Sequence, residues 1–214
     1  MTVAPSGTVL HILRHRANQT ASDDLPYVGV AAWTTNSSPS TLLASIRRAV
    51  SGPERKELIA LPESQHEVEM IGSDLPRPNT ILLGASATET NFKRLPLSQY
   101  NVVHLALFGY VDPEFPDRSA LVFAPQQQPT DDSLLQVREI RNLRLNANLV
   151  TLSACNTGVG PVGEEGVANI VNAFIEAGSQ SVVSTLWELE DHATTHLMTV
   201  FYEHLGVTRK RRRL

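Results

Sequence analysis

One cysteine, Cys155, is available in 214 residues, and it follows an apolar run in Leu-Val-Thr-Leu-Ser-Ala-Cys-Asn-Thr-Gly, residues 149–158. A thiol at the tip of a strand, ahead of a Gly-rich bend, is placed as a nucleophile would be. Nearby helix dipoles favour its thiolate, and its own backbone N–H can face an oxyanion. The competing reading is a small buried residue at a strand end, since free cysteine is among the most buried residue types. A cysteine nucleophile also needs a base, in practice a histidine brought to it by the fold. Of the seven histidines, His104 lies within an apolar strand-like run, while His192 and His196 are spaced as i and i+4 on a helix. Two imidazoles at that spacing, without a third ligand completing the site, are ordinarily just a helix surface. No metal and no cofactor is expected. Glu164 and Glu165 after the cysteine loop suit an acidic, solvated helix start.

Other classes are narrowed by composition. A lone thiol forms no internal disulfide, thiolate zinc cluster or CxxC pair, which points to a reducing, cytoplasmic setting. The net charge of −4 includes five positive charges from Arg209, Lys210, Arg211, Arg212 and Arg213, so the remaining body carries −9. An acidic body gives no reason to expect nucleic acid as a partner, and a short basic tail is ordinarily a solvated terminus. No apolar stretch approaches the roughly 20 residues of a membrane span, and the first residues lack a signal-peptide layout.

The elements that must position Cys155 read as an alternation of strands and helices. Short β-branched runs predict buried strands at Tyr27–Trp33, Thr80–Leu83, Val102–Leu107, Leu149–Ser153 and Ser181–Leu186. Helical spacing joins Glu67, Val68, Ile71 and Leu75, and again Val167, Ile170, Val171, Phe174 and Ile175, with Gly178 as a C-cap. A last helix is expected over about Ala193–Leu205, with Leu197, Val200, Phe201 and Leu205 inward. Strands apolar on both faces and alternating with helices predict a mostly parallel sheet in a three-layer α/β sandwich, one domain. Gly109–Asp117 reads as a turn, followed by a strand at Ala120–Phe123 and a polar loop, Gln126–Asp132, an excursion at the sheet's edge or carboxyl end. Ser37–Lys56 reads as an exposed connection with one weak helix. The chain divides into a lead-in (1–26), the main domain (27–205) and the basic tail (206–214).

Several motifs in fixed order resemble the CHAT domain, a caspase-like group within the clan of caspases, gingipains and separase. They are Val3-Ala4-Pro5-Ser6, Ala87-Thr88-Glu89 before Phe92, Val103-His104-Leu105-Ala106, Ser119-Ala120-Leu121-Val122, Leu152 to Gly158, Gly163 to Gly166, Ala173 to Gly178, and Ser184 to Trp187 with Asp191 and Thr194. The resemblance covers nearly the whole chain. It implies a caspase-like sheet and descent from cysteine endopeptidases acting on a peptide or protein. It also implies a dyad of Cys155 and a histidine in His-Leu-Ala-x-His-Gly, with the backbone N–H groups of Gly109 and Cys155 at the oxyanion. This chain reads His104-Leu105-Ala106-Leu107-Phe108-Gly109, so Phe108 stands where the dyad histidine belongs.

Phenylalanine moves no proton, and positioned acid–base catalysis supplies roughly 10²–10⁴-fold of rate. The resemblance therefore implies an impaired or inactive peptidase, or a pseudoprotease that binds a peptide or protein in the same cleft. Trp187 and Asp191 match the substrate-binding side of that cleft; the same residues read otherwise as a core plug and as the N-cap of the last helix. His104 precedes Phe108 by four residues, about 13 Å back on a continuous strand at roughly 3.3 Å per residue, and reads as a packed strand histidine. A rescue of the dyad by His192 is conceivable from its place after the fifth strand. Relative to the family, the chain lacks tetratricopeptide repeats, an earlier strand pair and a further helix, and is expected to be a truncated product or one piece of a longer arrangement.

Overall fold

A computed structural model describes residues 26–31, 62–75, 79–112, 114–125, 131–153, 164–184 and 191–204. Five strands, β1 (Tyr27–Ala31), β2 (Asn79–Leu82), β3 (Val102–Ala106), β7 (Leu149–Leu152) and β8 (Val182–Ser184), pair in the order β2-β1-β3-β7-β8, all parallel. Three short strands, β4 (Phe108–Tyr110), β5 (Ala120–Val122) and β6 (Leu134–Gln136), form a separate antiparallel sheet. The helices are α1 (Pro62–Asp74), α2 (Glu89–Arg94), α3 (Val137–Ile140), α4 (Glu164–Glu176) and α5 (Asp191–His204).

The period of two along each strand sorts the core into layers. Tyr27, Val102 and Leu149 join Ile71 and Leu75 of α1 and Met198 and Tyr202 of α5 on one face. Val28, Val30, Val103, Leu105, Val150 and Leu152 point the other way, onto Ile170, Ala173 and Phe174 of α4, with Phe92 of α2 and Ile140 of α3 in the same cluster. Both faces are covered, as continuous apolar strands require. The expected three-layer α/β sandwich with a mostly parallel sheet is therefore the observed architecture, in a single domain.

Local chemistry fixes the ends of these elements. Thr88 caps α2 by accepting from the Asn91 amide at 3.2 Å. Gly178, at φ +114°, closes α4: its amide donates to the Ile175 carbonyl at 3.1 Å and the Ser179 amide to Phe174 at 3.0 Å, a Schellman arrangement. The Asp112 carboxylate accepts from the Glu114 and Phe115 amides at 2.9 and 2.8 Å and folds the turn between β4 and β5.

Three expectations are corrected. Gly109 lies inside β4 and not in a turn, so the turn begins after Tyr110. Phe108 and His104 do not share a strand: β3 stops at Ala106, and Phe108 opens the antiparallel sheet, paired with Val122. Leu197 is 49% exposed, and α5 packs through Thr194, Thr195, Met198 and Tyr202, with Phe201 partly buried against the same cluster as expected. The buried face is turned toward Thr194 and Thr195, inward positions that hydrophobicity alone would leave outside. Cys155, Trp187, the segment 37–56, the first 25 residues and the basic tail lie outside the described residues.

Candidate functional site

Strand β3 runs centrally between β1 and β7, and its middle residue is polar. His104 is fully buried and in register with Gly29 on β1 and Thr151 on β7. Its imidazole faces the layer of α1 and α5. There Nε2 lies 2.7 Å from Glu67 Oε1 on α1 and 3.0 Å from Ser153 Oγ just past β7, and Nδ1 lies 3.1 Å from the Tyr202 hydroxyl on α5. Tyr202 Oη is also 2.8 Å from Thr151 Oγ1, and its ring stacks on the imidazole at 5.5 Å.

With the proton on Nε2, the ring donates toward the Glu67 carboxylate and Ser153, and Nδ1 accepts from the Tyr202 hydroxyl, which in turn accepts from Thr151, an arrangement that satisfies these contacts. Burial drives the Tyr202 phenol far above its usual range, with the neighbouring Glu67 adding to the shift against the Thr151 hydrogen bond, so it stays a donor. Tyr27, whose ring meets His104 edge-on at 6.3 Å, is raised for the same first cause.

This is not a hydrolytic triad, although it holds serine, histidine and glutamate. In a triad the acid and the nucleophile sit on opposite ring nitrogens, so that one orients the ring while the other gives up its proton. Here Glu67 and Ser153 share Nε2, and Ser153 is 2% exposed. His104 is the packed strand histidine that its sequence context suggested, and its partners are what the sequence did not announce.

Phe108, at the position where the resemblance places a dyad histidine, is 2% exposed and belongs to the large apolar cluster with Leu105, Leu107, Leu121 and Phe123. Gly109 is buried beside it in β4. Ser153, two residues before Cys155, donates its backbone N–H to the Leu105 carbonyl at 3.2 Å, which carries the pairing with β3 one residue past β7. Asp191 is the first residue of α5, and His196 on that helix is exposed. The structure thus brings together His104, Ser153, Glu67 and Tyr202; it places Phe108 and Gly109 in the neighbouring sheet.

A second polar cluster was not foreseen. The Lys93 ammonium donates to Asp131 at 3.0 Å and to Glu139 at 2.8 Å, and pairs with the buried Glu89 one turn before it. Thr90 donates to Asp131 at 2.6 Å. Glu89, Asp132 and Glu139 bring carboxylate oxygens within 4.8 Å of one another. Burial pushes the Glu89 carboxyl up to about 7 against the pull of Lys93, with Glu139 and Asp131 adding to the rise. Thr90 and Lys93 hold Asp131 below its ordinary value, against a smaller opposing effect of burial. The i, i+4 spacing of Glu89 and Lys93 was the one signal available in the sequence.

A parallel five-stranded sheet covered by helices on both faces, with a small antiparallel annex, defines an α/β domain. The model of the CHAT domain family matches residues 1–213, and the chain belongs to that family. A 77-residue stretch is 32% identical to part of tetratricopeptide repeat protein 28 from Mus musculus, covering 36% of this chain and 3% of that protein. The chain thus spans a small part of the length of this curated relative. Among the described residues, no helix is long and apolar enough to cross a membrane.

Proposed function

We propose that this CHAT domain is a caspase-like protein of cysteine-endopeptidase descent with impaired or absent peptidase activity, its cleft used to hold a peptide or protein. In this reading Cys155 occupies the nucleophile position, Gly109 contributes a backbone N–H to the oxyanion site, and Trp187 and Asp191 line the side that meets the partner.

The observation that carries the reading is Phe108. An apolar ring, buried among Leu105, Leu107 and Leu121, stands where the family pattern calls for the proton-transferring imidazole. His104 supplies no substitute: both of its ring nitrogens are engaged, and turning the imidazole away from its partners would strip Glu67 of a buried contact, at a cost of about 3 kcal/mol or more. The similarity to a tetratricopeptide repeat protein fits a protein-binding setting, since such repeats build extended binding surfaces.

The test restores the missing group. Phe108→His and the unaltered protein are treated with a cysteine-directed peptidyl electrophile, with Cys155→Ala as the blank. Labelling of Cys155 that rises sharply in the restored variant is expected. Equal and rapid labelling of both proteins would remove the case for impairment. The binding function is read separately: capture of a peptide ligand should survive Cys155→Ser and fail on Trp187→Ala.

A further inference from the structure

A fully buried histidine bonded to a buried glutamate is an expensive way to fill a core. Replacing such a group by apolar side chains of similar volume is often neutral or stabilising, so burial alone does not account for it. What a polar group adds is direction: each hydrogen bond fixes an atom at a point, where apolar packing fixes only a volume. The atom fixed here at the far end is Ser153 Oγ. Ser153 directly follows β7; its backbone N–H reaches the Leu105 carbonyl at 3.2 Å and its side chain lies 3.0 Å from His104 Nε2, and these two contacts both lie on β3. Glu67 at 2.7 Å and Tyr202 at 3.1 Å hold the imidazole from α1 and α5, so the ring cannot follow Ser153 if the chain pulls away.

We propose that His104, clamped by Glu67 and Tyr202, is a positioning residue that fixes the carboxyl end of β7 through Ser153, two residues ahead of Cys155 in the sequence. The role of Cys155 as the nucleophile position rests on the function proposed above; the anchoring of Ser153 does not. His104 touches no reacting atom in this scheme. Its effect is to set where the chain leaves the sheet.

The experiment uses the full chain with Ser153→Ala, which removes only the hydroxyl, and Glu67→Gln, which keeps shape and size while loosening the clamp. Ser181→Ala is the control at the other end of β7, where Ser181 Oγ donates to the Asn148 carbonyl at 2.6 Å. Amide hydrogen exchange is followed at residues 150, 152 and 153, and the rate of Cys155 alkylation by iodoacetamide is measured in native buffer. Loss of one hydrogen bond should raise exchange at residues 152 and 153 about fivefold in Ser153→Ala and leave Val150 unchanged. Cys155 alkylation should accelerate by a similar factor in both test variants and not in Ser181→Ala. A uniform rise along β7 would make the group merely structural and overturn the proposal, as would Cys155 alkylation within about twofold of the unaltered protein in both test variants. Peptidase activity, present or absent, does not enter either readout, so the anchor and the functional reading fail separately.

Discussion

Gly29→Ala should destabilise this domain although alanine suits a strand better than glycine. Gly29 lies in the middle of β1, in register with Ile81 on β2 and His104 on β3. A Cβ there would stand 2.5 Å from both the Tyr27 hydroxyl and Val68 Cγ1, and 2.8 Å from Tyr27 Cε1. Neither neighbour can retreat easily: Tyr27 and Val68 are fully buried, and the Tyr27 ring lies edge-on to His104. Two effects compete. Removing a glycine stabilises by about 0.4–1 kcal/mol through the unfolded chain. Forcing a methyl into a packed core costs about 1–3 kcal/mol, and with three contacts under 3.0 Å the upper part of that range applies. The net loss should be about 1–2 kcal/mol, or roughly 2–8 °C in Tm for a domain of this size. Thermal melts and urea titrations of Gly29→Ala, Val68→Ala and the double variant measure it. Val68→Ala removes Cγ1, so the double variant should lose less than the two single losses together. A Gly29→Ala protein as stable as the unaltered one, or strict additivity in the cycle, would refute the packing argument.

Other outcomes follow from the same contacts. Glu89 has its carboxyl raised from 4.5 to about 7, so the folded chain binds more protons than the unfolded one in that interval and stability should fall as pH rises through it. Asp131 is shifted the other way, and its contribution is lost only as pH falls below the ordinary aspartate range, so the two windows separate. Melts between pH 5 and 8 should therefore show a decline in Tm that Glu89→Gln flattens. Tyr202→Phe leaves His104 Nδ1 and Thr151 Oγ1 without their shared partner and should cost about 1–3 kcal/mol in a urea titration. Gly178→Ala must hold φ near +114° and drive its Cβ into the Leu145 carbonyl oxygen, a loss of about 1–3 kcal/mol by the same measurement.

The parallel sheet was legible because its strands are short β-branched runs whose two faces are both apolar, and each of its five strands falls within a residue or two of its expected place. β4 and β6 escaped because three residues carry no usable periodicity, and Phe108-Gly109-Tyr110 looks like the start of a turn. The face of α5 was misread where threonines point inward. At the site, the sequence context announced a packed His104; Cys155 lies outside the described residues, and Phe108 was singled out by the family pattern. The partners of His104 were hidden, because Glu67 and Tyr202 lie 37 and 98 residues away, brought together only when α1 and α5 settle on one face of the sheet. A buried glutamate on an otherwise amphipathic helix was the only trace of that network, and it pointed to no particular partner.

Peptide turnover by the unaltered chain, set against Cys155→Ala under identical conditions, tests the central claim most directly. If Phe108 stands in place of the dyad histidine, as proposed, the two proteins should give the same background rate across a peptide library. Turnover well above that background which disappears in Cys155→Ala would contradict the account, since it would require a proton-transfer group other than the family histidine to serve the cysteine.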